Sequence, residues 1–233
     1  MPSQLDTENG LNFPAADYGN PDPTPEWLQV DWRQHLHRVD LPGAEVNYAE
    51  IGEGEPILFV HGLAGCWRNW LENLPYFGQG YRAIALDLPG FGDSPMPSWE
   101  ISMANYGRLI HDFCERLGID RVAALVGNSM GGFVSTEAVI EEPERFDRLV
   151  LISAAGISFA EVQGRQKEAL GRMARAAAPF LTGDRRAFLT RPRGRKLAFG
   201  RVFRNPNRLR PELLQEQTRP GLQAPGFHDA LMS

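Results

Sequence analysis

Four short apolar runs lie along the first two thirds of the chain, and each precedes a turn or loop that contains glycine, proline or asparagine. The runs are Ile57–Val60, Ala83–Leu86, Val122–Val126 and Leu149–Ile152. None of them alternates polar and apolar positions, which is typical of parallel strands that are buried on both faces. A preceding stretch, Leu36–Ile51, has β-like runs on either side of Pro42-Gly43 and predicts a hairpin.

Helical periodicity separates these strand-like runs. In residues 102–117, apolar positions three or four apart form one stripe, and Gly118 is placed to end the helix. The stripe consists of Met103, Tyr106, Ile110, Phe113, Cys114 and Leu117. His111 flanks it, and we expect this histidine to be a partly exposed surface residue. A second helix is expected from Met130 to about Glu142, before a proline. Strands that alternate with helices in this order predict the α/β class, with a doubly wound, mostly parallel sheet.

The composition divides the chain into three parts. Residues 1–36 are rich in Pro, Asp and Asn, and we expect a loosely ordered extension that Trp27 and Trp32 anchor in part. Residues 37–156 hold the strand pattern and are expected to form the core domain. Residues 157–233 lack a strand pattern and are rich in arginine, which predicts a helical cap over the carboxyl ends of the strands.

Helix-prone stretches of this third part lie at 161–178 and 211–217. Between them, we expect Pro192 and Gly194 to break the helix.

Charge is divided in a similar way. Residues 1–156 contain 9 Lys and Arg against 23 Asp and Glu, whereas residues 157–233 contain 15 against 6. The simplest interpretation of the basic part is a solvated helical surface, and an anionic substrate or a lipid surface is the alternative. It contains no recognisable nucleic-acid-binding module, so no nucleic-acid partner is expected.

Composition also excludes several classes of protein. With 42% hydrophobic and 23% charged residues, the chain is typical of globular proteins. Two cysteines, Cys66 and Cys114, cannot build a disulfide framework. The first residues do not resemble a signal peptide, and no apolar run approaches the ~20 residues of a membrane span, so we expect a cytoplasmic protein. His and Cys residues lack metal-ligand spacing and no G-x-G-x-x-G follows a strand, so neither metal nor cofactor is expected.

A G-x-S-x-G pattern carries the clearest chemical signal. It spans residues 127–131, directly after the third apolar run and directly before the second predicted helix. At such a junction the chain makes a tight turn with Ser129 at its tip, and the glycines let strand and helix approach closely. The N–H of Met130 can then face the serine oxygen at the positive end of the helix. An incidental serine in a glycine-rich turn is the alternative.

Two further motifs follow the first two apolar runs. The sequence HGLAG begins at His61, and DLPGFGDS begins at Asp87. We expect His61 to fix its loop by hydrogen bonding rather than to act as a catalytic base. Similarly, we expect Asp87 to accept hydrogen bonds from nearby loop amides rather than to act as a catalytic acid.

Together, HGLAG, DLPGFGDS and GNSMGG in this order resemble the α/β-hydrolase fold superfamily over roughly residues 37–156. The resemblance implies that Ser129 is a nucleophile that forms an acyl-enzyme. It also implies an oxyanion hole from the backbone N–H groups of Leu63 and Met130, and a cap domain from residue 157 onward. A serine at this position argues against the family's epoxide hydrolases and haloalkane dehalogenases, which use aspartate there.

The remaining members of the family's catalytic triad are not found in this chain. In the family, an acid and then a histidine follow the nucleophile. Among the five histidines only His228 follows Ser129, and no strand-like run precedes it. We therefore expect a hydrolase truncated after the cap, poorly stable alone, whose sixth strand is an open sheet edge. The alternatives are a partner or second copy that supplies the missing part, and a non-catalytic interaction protein.

The resemblance implies hydrolysis of carboxylic esters, with a small acyl or ester compound as the substrate. Because the predicted cap is basic, this substrate can carry a negative charge. A second hypothesis comes from Asn69 and Asn128, which resemble positions in the carbon–carbon bond hydrolases of aromatic ring-fission pathways. With Trp67, they are candidate substrate-binding residues. Alternatively, the two asparagines only satisfy loop amides.

Overall fold

The computed structural model describes residues 25–154, 191–200, 212–213, 216 and 224–233. Predictions for residues 1–24 and for the helix at 161–178 lie outside these residues. The division into extension, core and cap therefore stays a prediction. Within the described residues, no helix has the length and apolar character needed to cross a membrane.

Six strands form one mixed sheet. In chain order they are β1 (Leu36–Leu41), β2 (Ala44–Ile51), β3 (Pro56–Val60), β4 (Arg82–Leu86), β5 (Ala124–Asn128) and β6 (Leu149–Ile152). Their order across the sheet is β1-β2-β4-β3-β5-β6. The first two strand pairs are antiparallel and the other three are parallel. The predicted α/β class and mostly parallel sheet are confirmed.

The predicted hairpin is present, and one predicted strand is displaced. Leu41 pairs with Ala44 across the Pro42-Gly43 turn, where Gly43 has a φ of 71°. β5 begins two residues later than the third apolar run, because Val122 makes only an isolated bridge to Phe146. At its other end, β5 extends to Asn128, the residue before Ser129.

Five α-helices are described: α1 (Leu74–Phe77), α2 (Met103–Arg116), α3 (Met130–Glu141), α4 (Pro192–Phe199) and α5 (Phe227–Met232). The Ser102 side chain caps α2 by accepting from the Asn105 N–H, and Gly118 follows its end with a φ of 65°. Helix α4 begins at Pro192, where a proline lacks only an N–H that has no helical partner, so it is the predicted break at Gly194 that is wrong. Gly194 is tolerated inside α4.

The central strands are covered on both faces. Helices α2 and α3 cover one face, where Leu58, Ile84, Phe113 and Val134 belong to one apolar cluster. The other face carries a second cluster that includes the aromatic residues Phe59, Trp67 and Trp70. Neighbouring residues of β3 thus belong to opposite clusters, as the alternation of strand side chains requires.

The prediction that His111 is a partly exposed surface residue is wrong. It is 5% exposed rather than a surface residue. Its Nε2 lies 2.9 Å from the carbonyl oxygen of Ala138, and its ring packs against Phe146. The reason is the close packing of α2 on α3, which buries the flank of the apolar stripe as well as its centre.

The predicted burial of strand β6 is also wrong. The apolar run predicted burial on both faces, but Val150, Leu151 and Ile152 are 40%, 48% and 42% exposed. β6 is the last strand of the sheet and pairs with β5 on one side only among the described residues. This strand therefore matches the open edge that the sequence predicted, and an exposed apolar edge favours association with other chains.

Substitution of Gly107 tests the contact between α2 and α3. A Cβ at this position would lie 2.9 Å from Glu137 Cβ and 3.1 Å from the Ala138 nitrogen. We expect Gly107→Ala to lower the free energy of unfolding by about 1–2 kcal/mol, because the overpacking exceeds the gain in helix propensity. Urea denaturation measures this change. Gly80→Ala is the control, since nothing lies within 4 Å of that Cβ position, and a stabilised Gly107 variant contradicts the packing argument.

Candidate active site

Ser129 lies at the turn between β5 and α3, in a strained backbone conformation. Its φ and ψ angles are 52° and −117°, outside the regions that a residue with a side chain normally adopts. The backbone holds it there: the Ser129 N–H donates to the Ile152 carbonyl at 3.0 Å, and its own carbonyl accepts from the Gly132 N–H at 3.0 Å. Such strain persists only where the surroundings enforce it, and it is typical of functional positions.

Two glycines allow the turn to pack. A Cβ at Gly131 would clash with the carbonyl oxygens of Val60 and His61, at the end of β3. A Cβ at Gly127 would clash with the Gly131 carbonyl. The start of α3 therefore touches the neighbouring strand backbone to backbone, which no other residue type permits.

The HGLAG loop lies beside Ser129. A Cβ at Gly62 would lie 3.1 Å from Ser129 Cβ. The loop turns tightly, since the Gly65 N–H donates to the Gly62 carbonyl at 2.9 Å and Ala64 has a φ of 61°. Leu63 is within this turn, and Met130 begins α3 on the other side of the serine. Their assignment as oxyanion donors stays a prediction, and the proximity of loop and serine supports it.

His61 fixes the loop, as predicted. Its ring is fully buried, and it joins two loops: Nδ1 lies 2.7 Å from the Gly62 carbonyl, and Nε2 accepts from the Leu88 N–H at 3.0 Å. Burial lowers the pKa of His61 to about 4. At neutral pH the imidazole is therefore uncharged, and both of its nitrogens are engaged, so it is unsuited to act as a base.

Asp87 joins loops at the same end of the sheet, also as predicted. Its carboxylate accepts from the Trp67 N–H at 2.6 Å, the Asp93 N–H at 2.9 Å and Asn47 Nδ2 at 2.8 Å. Burial raises the pKa of this carboxyl to about 6, against the opposing effect of the hydrogen bonds. Asp87 thus holds the segment after HGLAG against the loop after β4.

Sequence reasoning missed two members of this cluster, Asn47 and Ser94. Both are buried. The Ser94 hydroxyl donates to the Asp87 carbonyl and accepts from the Asn47 N–H, each at 2.8 Å. The available signal was an asparagine in the middle of the apolar run Val46–Ala49, because a polar residue there needs a buried partner.

The three candidate substrate-binding residues are engaged within the protein. Asn69 Oδ1 accepts from the Cys66 N–H at 3.1 Å, and Asn128 Nδ2 donates to the Ile152 carbonyl at 3.1 Å. Trp67 is buried, and the Arg68 guanidinium lies 4.8 Å from its ring centre. These contacts support the structural alternative for the two asparagines, while binding of substrate by any of the three stays a prediction.

None of the five histidines, all of which lie in the described part of the chain, forms a hydrogen bond with Ser129. His35 contacts the Glu50 carbonyl at 3.0 Å, and His37 packs on Tyr48. His228 is exposed on α5. With His61 and His111 engaged as described above, no histidine is hydrogen-bonded as a base to Ser129 in the described part of the chain. These residues also contain no group of three or more His, Cys, Asp or Glu side chains that could hold a metal ion.

Comparison with known proteins identifies the family. Residues 55–215 match the family model described as alpha/beta hydrolase fold. This match covers more than half of the chain, and the strained serine turn is in the matched region. The chain therefore belongs to the alpha/beta hydrolase fold family.

Two of the curated relatives that the chain resembles are named as hydrolases. The chain is 34% identical over 122 residues to 2-hydroxy-6-oxo-6-(2'-aminophenyl)hexa-2,4-dienoic acid hydrolase of Metapseudomonas resinovorans, covering 51% of this chain and 42% of the relative. It is 37% identical over 127 residues to 2-hydroxy-6-oxo-6-phenylhexa-2,4-dienoate hydrolase of Comamonas testosteroni, covering 52% and 44%. The chain thus spans less than half the length of these curated relatives.

A solved structure has the same fold. A thermophilic esterase from Thermogutta terrifontis superimposes with a TM-score of 0.66 at 24% identity, covering 84% of this chain and 71% of the esterase. At this identity the likeness concerns the fold alone.

Two substitutions of Ser129 test the backbone strain. Glycine adopts positive φ without steric cost, whereas alanine keeps the strain. We expect the free energy of unfolding of the Ser129→Gly variant to be about 1–2 kcal/mol higher than that of the Ser129→Ala variant. Chemical denaturation of both variants measures the difference. Equal stabilities, or a more stable alanine variant, contradict the strain.

Acid stability tests the buried His61. Because the pKa of His61 is about 4 in the folded state and about 6.5 when unfolded, the unfolded chain takes up a proton first as the pH falls. As the pH falls from about 6.5 to about 4, this histidine therefore lowers the free energy of unfolding, by about 3 kcal/mol at most. Denaturation at several pH values compares the wild type with His61→Gln, and we expect a shallower acid loss in the variant. Parallel pH profiles contradict a neutral buried ring.

Proposed function

We propose that Ser129 is the nucleophile of a serine hydrolase that cleaves carboxylic esters. The observation that carries the proposal is the strained serine at the β5–α3 turn, with the HGLAG loop against its side chain. A strained strand-to-helix turn of this kind exposes the serine hydroxyl for nucleophilic attack. Belonging to the alpha/beta hydrolase fold family supports a small-molecule substrate.

In the proposed reaction, Ser129 Oγ attacks the carbonyl carbon of the ester and gives its proton to a base. The carbonyl oxygen becomes an oxyanion, which the N–H groups of Leu63 and Met130 stabilise. When the C–O bond breaks, the alcohol leaves with a proton and an acyl-enzyme remains. Water then hydrolyses the acyl-enzyme to the acid and restores Ser129.

The base and its acid partner are required for a useful rate. Without a base the serine keeps its proton and is a poor nucleophile. Since none of the five histidines forms a hydrogen bond with Ser129, we propose that further chain, in a longer form of the protein or in a partner, supplies the histidine and acid. The short coverage of the curated relatives supports this proposal.

A carbon–carbon bond hydrolase is the second candidate. The observation in its favour is the 34–37% identity to hydrolases named for 2-hydroxy-6-oxo-hexa-2,4-dienoate compounds. In this second proposal, Ser129 Oγ attacks the carbonyl carbon, the bond from that carbon to the neighbouring carbon of the dienoate breaks, the released carbon takes up a proton, and water then hydrolyses the acyl-enzyme. The same serine and oxyanion donors would serve both reactions.

The first experiment measures the intact mass of the native protein purified from its source and its labelling by a fluorophosphonate. We expect a mass above 26.0 kDa and stoichiometric labelling of Ser129, identified by peptide mass spectrometry. Ser129→Ala should abolish labelling, and Ser98→Ala, at an exposed serine outside the turn, should leave it unchanged. An unlabelled native protein of 26.0 kDa overturns the catalytic proposal and favours a non-catalytic interaction protein.

A substrate comparison then separates the two candidates. Simple p-nitrophenyl esters and a 2-hydroxy-6-oxo-6-phenylhexa-2,4-dienoate are compared by kcat/KM with the labelled native protein. A preference for the esters supports the ester hydrolase. A preference of about 100-fold or more for the dienoate, equivalent to about 2.7 kcal/mol in transition-state stabilisation, establishes the carbon–carbon hydrolase instead.

A further inference from the structure

The HGLAG loop is held at both of its ends by two consecutive residues that follow β4. At the start of the loop, the His61 ring accepts a hydrogen bond from the Leu88 N–H at 3.0 Å. Just beyond its end, the Trp67 N–H donates to Asp87 Oδ1 at 2.6 Å. Leu63, the candidate oxyanion donor of this loop, lies between the two attachments. The position of its N–H therefore depends on both of them.

Asp87 is itself fixed to the sheet and fully buried. Its backbone N–H donates to the Asn47 carbonyl in β2 at 2.8 Å, and its Oδ2 accepts from Asn47 Nδ2 at 2.8 Å. The Asp93 N–H is a second donor to Oδ2, at 2.9 Å. Gly92, with a φ of 57°, lets this loop come close, because a Cβ there would clash with the carboxylate. The segment after HGLAG is thus tied through Asp87 to β2.

The geometry around Asp87 fits an ionised carboxylate. Three N–H groups point at its two oxygens, from the Trp67 backbone, the Asp93 backbone and the Asn47 side chain. An ionised carboxylate offers acceptors only, so it can serve all three donors. A protonated carboxyl or an amide would turn a donor of its own toward one of these groups. Loss of the charge therefore weakens the attachment of the loop.

We propose that Asp87 is a positioning residue for the oxyanion hole. It holds the HGLAG loop so that the Leu63 N–H faces the oxygen on which charge develops when Ser129 attacks. Asp87 does not touch the substrate and acts through the Trp67 backbone. The inference rests on the proposed nucleophilic role of Ser129 and deepens it. Because oxyanion donors act in the transition state, a displaced donor lowers the rate of acylation more than it lowers reversible binding.

The rate at which a fluorophosphonate labels Ser129 tests the proposal in the native protein. Asp87→Asn keeps the size of the side chain and removes its charge. At about pH 8 we expect its maximal labelling rate to fall about tenfold or more, with the half-saturating probe concentration unchanged within about twofold. Asp40→Asn is the matched control, because Asp40 is exposed on β1, and it should label like the wild type. A wild-type labelling rate in Asp87→Asn, or a change confined to the half-saturating concentration, overturns the proposal.

The pH dependence of this comparison separates positioning from a loss of packing. Burial raises the pKa of Asp87 to about 6, against the opposing effect of its hydrogen bonds. The charged and titratable groups that act on it are Asp93 in its own loop and Cys66 and Arg68 after HGLAG, whereas β2 contributes the uncharged asparagine described above.

Below about pH 6 the wild-type carboxyl takes up a proton and comes to resemble the amide of Asp87→Asn. We therefore expect the ratio of wild-type to variant labelling rates to decrease toward one as the pH falls. The base that Ser129 needs titrates alike in both proteins and cancels from this ratio. A ratio that does not change between about pH 8 and about pH 5 contradicts the role of the charge.

Hydrogen–deuterium exchange tests the hold on the loop without any labelling. In Asp87→Asn we expect the amides of residues 61–67 to exchange about tenfold faster, and those of α2 to exchange as in the wild type. Faster exchange in a native protein that the fluorophosphonate does not label supports the hold of Asp87 on the loop and refutes the nucleophilic role of Ser129. Unchanged exchange in residues 61–67, or an equal increase in α2, overturns the proposal.

Discussion

The arrangement around Ser129 depends on direct backbone contact between the start of α3 and the end of β3. Gly131 lies so close to the carbonyls of Val60 and His61 that no side chain fits between them. This contact fixes the start of α3 relative to the sheet. Ser129 joins β5 to this helix and does so with a positive φ. The same contact places the HGLAG loop against the serine, so position and strain share one cause.

Buried polar groups then connect the loops at this end of the sheet. His61 links the HGLAG loop to Leu88, and Asp87 links the following segment to the loop after β4 and to Asn47 in β2. Each polar group has its partners, which avoids the cost of an unsatisfied buried donor or acceptor. Residues that resemble catalytic ones by type therefore act here as structural connections, and the loops that face Ser129 depend on them.

Strand β6 lies at one edge of the sheet and, among the described residues, pairs with a neighbouring strand on one side only. β6 exposes apolar side chains, whereas the central strands β3, β4 and β5 are largely buried. The Ile152 carbonyl of this same edge strand accepts hydrogen bonds from both the Ser129 N–H and Asn128 Nδ2. Hydrogen bonds therefore join the sheet edge to the serine turn.

The sequence by itself determined the sheet class, the hairpin, the first helix stripe and the serine turn, because each rests on local patterns of apolar residues and glycines. It also identified the structural roles of His61 and Asp87 from their place in the loops. Only the tertiary structure decided the burial of His111 and the hydrogen bonds of Asn47 and Ser94 with Asp87, since these depend on which elements pack against each other.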